Sequence, residues 1–323
     1  MGWSFAGLSD GLSVQVKFTK GLLGTGSLII DGVAYKGGLK FSATGLAAGS
    51  WFTKGGSIPV SFALSLDGNG KVIMTGTIAG RTVVMGRAEF RTTNPAPAGT
   101  VGRYTFIIQG SSLAGAPVLP GGSGYGIMEV LADGSVLVKG KLADNTAYTA
   151  SSRITLGGGV PVLAALYPSG ATRGWWSSDM TLDLAAANDL TGAIDWHKPA
   201  QASGLYPDAA DFTGNLIGSY YTPGVGLPAP LTATVATLTV PIGATTYTGT
   251  GTPSAPSPIV GKFKISGANV AQRCTLYAKT GIITGGGTGL RGFNAVILQK
   301  QVLILGYGID SASPSTGEAA ITQ

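Results

Sequence analysis

Glycine recurs in this chain at two kinds of position, in the breaks between short alternating runs and inside the runs themselves. The first kind makes turns. Tight hairpin turns need positive φ, which Gly, Asn and Asp tolerate. Asp67-Gly68-Asn69-Gly70 follows the alternating run Ser57–Leu66, and Asp31-Gly32 and Asp133-Gly134 read the same way. The second kind weakens a strand, because a glycine packs nothing there and loses backbone entropy. It marks a bulge, a bend or the close approach of a bulky neighbour. Regular mid-strand glycines curl a sheet towards closure. The chain is therefore expected to be all-β, with antiparallel β-barrel-like units built from repeated Gly-rich hairpins.

Composition supports a packed chain. Glycine supplies 53 of 323 residues, more than twice the usual ~7 %. Charged residues are 11 % and hydrophobic ones 44 %, which is the reverse of a disordered chain. The formal charge is +6, but the 21 Lys and Arg residues are scattered rather than clustered. That argues against a nucleic-acid partner. The one cysteine, Cys274, rules out a disulfide within the chain and a cysteine-rich zinc site. No apolar run is long enough for a membrane helix. Met1–Gly7 lacks the basic region and apolar stretch of a signal peptide, so the expectation is a mature start, an excised piece of a longer chain, or export by another route.

Strand-like runs dominate. Only the Ala-rich Leu184–Asn188 suggests a short helix or turn. Connections of two to six residues exclude parallel crossovers. The strands also repeat. Asp67–Thr82 and Asp133–Thr146 share a turn, an apolar run, a central Gly (Gly76, Gly140) and a second turn, and Leu190–Asp195 repeats the central Gly. Val16–Gly26 resembles Leu276–Gly286, which pairs the two ends of the chain. Thr93–Gly99 reads as a linker. It separates an N-terminal half-unit, 1–93, from a larger barrel-like unit, 99–323, with Pro- and Gly-rich loops at Pro223–Pro230 and Thr248–Pro258.

An ordered set of short motifs carries a resemblance. Gly102–Thr105 (Gly-Arg-Tyr-Thr) leads to Gly124–Gly126 (Gly-Tyr-Gly), Val130–Asp144, Trp196–Pro199 (Trp-His-Lys-Pro), Lys279–Gly281 (Lys-Thr-Gly) and Val296–Gln301. In this the chain is similar, over nearly its whole length, to a repeat module of very large secreted or surface-anchored proteins of Gram-negative environmental bacteria. The resemblance implies a β-barrel-like extracellular module and carries no catalytic residues with it.

Candidate sites are sparse. Trp175, Trp176, Tyr220 and Tyr221 could present aromatic faces to surface glycans, with the reservation that adjacent strand residues point to opposite faces. Asp195 and His197 share a face at the end of a strand, but no Ser stands in a nucleophile elbow. Gly285–Gly289 is followed by no helix, so it reads as a flexible hairpin loop rather than a phosphate loop. No catalytic residue, metal ligand set or cofactor is nominated. The expectation is a non-enzymatic extracellular or cell-surface protein, structural or adhesive, without membrane insertion. It would associate with itself by terminal-strand complementation through Leu12, Val14, Val16, Phe293, Val296 and Leu298. A glycan-binding surface module and an outer-membrane barrel are the alternatives.

Overall fold

The computed structural model describes residues 3–19, 21–113, 119–167, 173–223, 235–252 and 260–322. The fold is all-β, and its strands form three eight-stranded antiparallel units in chain order. The first unit comprises β1 (Ser4–Ser9), β2 (Leu12–Phe18), β3 (Leu23–Ile30), β4 (Val33–Lys40), β5 (Leu46–Thr53), β6 (Gly56–Leu66), β7 (Val72–Ile78) and β8 (Arg81–Arg87). It closes on itself where β1 pairs with β8. What reads in the sequence as a half-unit is thus a complete barrel.

Residues 99–323 carry two further sheets. The second contains β9 (Gly102–Ile108), β10 (Gly124–Val130), β11 (Ser135–Lys141), β12 (Ala147–Arg153), β13 (Gly159–Leu166), β14 (Gly174–Leu182), β15 (Leu190–Lys198) and β16 (Ala210–Tyr221). The third contains β17 (Ala236–Ile242), β18 (Thr245–Gly251), β19 (Val260–Ser266), β20 (Ala271–Tyr277), β21 (Ile282–Thr288), β22 (Leu290–Leu298), β23 (Leu303–Asp310) and β24 (Thr316–Thr322). The third closes through β17 and β24. Much of the loops read at Pro223–Pro230 and Thr248–Pro258 lies outside the described residues.

The second sheet follows the same cyclic strand order but stays unlaced between β12 and β13. Pro161, in β13, has no N–H to give to a ladder there. In place of a ladder, the Ser152 hydroxyl donates to the Pro161 carbonyl. The first barrel lies over this seam. Gln15 Nε2 on β2 donates to the Ser151 carbonyl at 2.8 Å. The chain after β8 also bonds to the segment after β12, Glu89 N–H to Ile154 O at 3.0 Å and Leu156 N–H to Arg87 O at 2.9 Å.

Each interior is filled by side chains. Phe5, Trp51, Phe62 and Met74 fill the first barrel, Tyr104, Phe106, Trp176 and Trp196 the second, and Leu238, Ile265, Ile283 and Phe293 the third. Mid-strand glycines make room for the largest of these. A Cβ on Gly26 or Gly37 would clash with the Trp51 ring, and one on Gly285 with the Phe293 ring. Gly285–Gly287 consequently belong to β21, and the expected flexible hairpin loop is corrected. The extended ladder with β20 leaves only Gly289, at φ +86°, in the turn. Leu184–Asn188 is a turn, not a helix.

The second and third barrels meet face to face. Ile107 and Tyr125 from β9 and β10 pack against Val296, Leu298, Tyr307 and Ile309 from β22 and β23 in a small apolar core of their own. The inward partners on the same strands, Phe106 and Ile297 among them, belong to the barrel interiors. These strands are buried on both faces, which is why Phe106-Ile107-Ile108 and Ala295–Leu298 are unbroken apolar runs.

Candidate functional site

Residues from several of the sequence motifs meet at this second junction. Arg103 donates to the Lys279 carbonyl, and Thr105 Oγ1 to the Ile297 carbonyl. Gln299 exchanges hydrogen bonds with the backbone of Thr222 at 2.7 and 3.0 Å. Gln301 Nε2 reaches Asn188 Oδ1 at 2.7 Å. Lys300 Nζ reaches Asp189 Oδ1 at 2.6 Å. Residues far apart in sequence therefore share one task, joining two barrels.

The four proposed glycan-facing aromatics do not share a surface. Trp176 is fully buried in the second barrel, edge-on to Tyr148 at 4.9 Å. Tyr221 is 1 % exposed and donates its hydroxyl to the Ala278 carbonyl across the junction. Tyr220 is half-buried and donates to the Val101 carbonyl. Trp175 faces outward as alternation requires, but the first barrel's Gly11 turn packs against its ring. The expected platform is thus corrected to one aromatic in a cleft.

The six residues nominated for strand complementation are also enclosed. Leu12, Val14 and Val16 line the first barrel, Phe293 lines the third, and Val296 and Leu298 lie in the junction. Pairing of β1 with β8 and of β17 with β24 leaves neither terminal strand with a free edge. Closure removes the template that complementation needs.

A polar cleft lies beside Trp175. Its volume is about 600 Å³, and Asp10, Asp31, Trp175, Asp195, His197, Asp211 and Thr213 contribute to its walls. One wall is the outer face of β14–β16, where register sets Trp175 beside His197, His197 beside Asp211, and Asp195 beside Thr213. The His197 ring stacks on Trp175 at 5.9 Å, and Nδ1 lies 2.5 Å from Asp211 Oδ1. The other wall is the β1–β2 and β3–β4 turns. Arg81 grips Asp31 with two hydrogen bonds of 2.9 Å and holds the Asp10 carbonyl at 3.2 Å, which fixes both turns. Desolvation, then the charge of Asp10, pushes the Asp195 carboxyl above its usual range.

This cleft offers carboxylates, an imidazole, a hydroxyl and an aromatic edge, a set suited to hydroxyl-bearing ligands. Among the described residues, no group of three or more His, Cys, Asp and Glu side chains is placed to hold a metal ion. Cys274 is buried, and desolvation pushes its thiol up to about 12, away from the reactive thiolate. In the sequence Asp195 and His197 stand out by sharing a strand face, whereas Asp10, Asp31 and Asp211 carry no such signal of a site. The turn motifs Asp10-Gly11 and Asp31-Gly32 were visible, yet nothing local says that two turns of one barrel face the wall of another.

Fold and junctions together define a class, a tandem β protein of three barrel-like eight-stranded units, two of them closed. Comparison with protein-family models, with curated proteins and with solved structures gives no match.

Proposed function

We propose that this protein is a non-enzymatic extracellular structural or adhesive module that acts as a stiff spacer and associates with copies of itself. One observation carries the reading. All three units have side-chain-filled interiors, and both junctions are bonded, so the chain is built to hold a shape rather than to enclose a ligand. The resemblance to modules of surface-anchored proteins supports the same setting. Self-association would run through outer barrel faces, because the terminal strands are paired. Inward apolar packing favours a water-facing exterior, whereas an outer-membrane barrel carries its apolar band outside.

Small-angle scattering over a concentration series tests the reading. The expected result is a particle of constant cross-section at low concentration and larger assemblies as concentration rises. A flexible chain of independent barrels, or a monomer at all concentrations, would count against it.

The cleft favours a second reading, glycan binding. Trp175, His197, Asp195 and Thr213 form a polar face with one aromatic edge. On a glycan array, binding that survives Trp176→Phe but is lost in His197→Ala and Asp195→Asn is the expected outcome. A blank array would remove this reading and leave the structural one standing.

A further inference from the structure

Glu318 is a half-buried acid at the junction between the second and third units. It stands on β24, opposite Tyr307 on β23. Its Oε1 accepts a hydrogen bond from Ser123 Oγ of the second barrel at 2.8 Å. Its Oε2 is buried without a partner. Ser219 Oγ and Gln301 Oε1, also at this junction, are buried without partners as well. A buried oxygen without a partner costs more on an ionised carboxylate than on a neutral carboxyl, whose orphan hydroxyl carries the smaller penalty.

No cation faces it. Tyr307 stacks on Tyr125 at 6.4 Å, and both phenols are pushed upward by burial, Tyr125 to about 12. Tyr206 bonds Thr316 next to it on β24, at 2.9 Å. From the β11–β12 turn, Asn145 accepts the Tyr307 hydroxyl at 2.8 Å. Asp144 on that turn is itself pushed upward by burial, and the Thr146 N–H and the Tyr167 hydroxyl hold it within the second barrel. The nearest ion pair in the junction, Lys300–Asp189, is already closed.

We propose that Glu318 makes this junction a pH-sensitive latch, docked when the carboxyl is neutral and loosened when it ionises. The burial that leaves Oε2 unpartnered also raises the titration of Glu318 from 4.5 to about 7. A raised acid favours the docked state fully below its free value, and that advantage is lost as pH rises to the docked value. The latch therefore loosens between about pH 4.5 and pH 7. This one junction is tight in mild acid and looser above neutrality, while the junction of the first and second units, which lacks Glu318, stays bonded.

Two amides report the junction directly. Ser123 N–H donates to the Gly306 carbonyl, and Thr316 N–H donates to Tyr206 Oη. After correction for intrinsic exchange, their hydrogen-exchange protection is expected to fall at least ~10-fold from mild acid to mild base in the native sequence. In Glu318→Gln it is expected to stay high at both. The chain has three glutamates, Glu89, Glu129 and Glu318, so carbon-13 labelling of their carboxyls gives a resolvable set. One resonance is expected to titrate near neutrality and to vanish in the variant. If Glu318→Gln does not fold, Ser123→Ala removes a donor that favours the carboxylate and is expected to move the loosening to higher pH. Exchange that is flat with pH in the native sequence overturns the proposal. So does equal pH dependence in Glu318→Gln, or loosening unmoved by Ser123→Ala.

Discussion

Trp51→Ala is expected to destabilise the first barrel by roughly 4–5 kcal/mol, at the upper end for core truncations. The side chain is fully buried and packs against Phe62 at 5.6 Å between ring centroids. Its walls explain the size of the effect. The indole lies on Gly26 and Gly37, which have no side chains to lean into the void. A cavity that cannot collapse carries its full penalty. One term opposes this, since the Trp51 Nε1 is buried without an acceptor. Trp51→Phe removes that orphan donor and most of the bulk stays, so about 1–2 kcal/mol is expected. The partner substitution gives a sharper check. Gly37→Ala alone is expected to cost about 1–3 kcal/mol by overpacking, because the new methyl would strike the indole. In the Trp51→Ala background the same methyl enters a void, so its cost should vanish or reverse. Urea denaturation of the four chains measures the coupling. Additive costs would show that the glycines are not there for the indole.

The same pair shows what the sequence makes legible and what it does not. Mid-strand glycine announces a close approach, and the structure places an aromatic ring at Gly26, Gly37, Gly126 and Gly285. Barrel-like closure could therefore be read from composition and spacing. Which ring meets which glycine could not, because the partners sit on other strands. Strands of small residues were also hard to see. Leu46–Thr53 holds Ala47-Ala48-Gly49-Ser50 at its centre, where alternation of hydrophobicity is too shallow to register. Gly285–Gly287 hid a strand for a related reason, since three glycines carry no face preference and their order comes from the ladders with β20 and, at Gly285, β22.

The candidate sites were harder still. Trp175 and Trp176 were assigned opposite faces by periodicity, and the structure agrees that one is core and one faces outward. What periodicity could not supply was the neighbouring barrel that covers the outward one. The six residues offered for self-association failed on the same ground. They lie on β2 and β22, which pair with neighbours on both sides, and Val296 and Leu298 are covered by the second unit, a contact that alternation along one strand does not show.

Lys300 gives the second large effect. Its ammonium has three donors, and the structure supplies three acceptors from the second barrel: the Leu184 carbonyl at 3.0 Å, the Ala186 carbonyl at 2.6 Å and Asp189 Oδ1 at 2.6 Å. The turn at Leu184–Asn188 thus forms a cradle for a charge from the third barrel. The Asp189 side chain is 6 % exposed, and its other oxygen accepts the Tyr220 N–H at 2.7 Å. Lys300→Met would leave that carboxylate buried with one donor, and breaking such a pair costs about 3–5 kcal/mol. The loss should appear mainly as opening of the junction. Hydrogen exchange would then rise at Ser123 and Thr316 while amides in the barrel interiors change little. Lys300→Arg is expected to rescue poorly, because a planar fork cannot point at three converging acceptors. Asp189→Asn in the Lys300→Met background should recover much of the loss by removing the stranded charge. A fully destabilising Asp189→Asn in that background would mean that the cradle, not the ion pair, holds the barrels together.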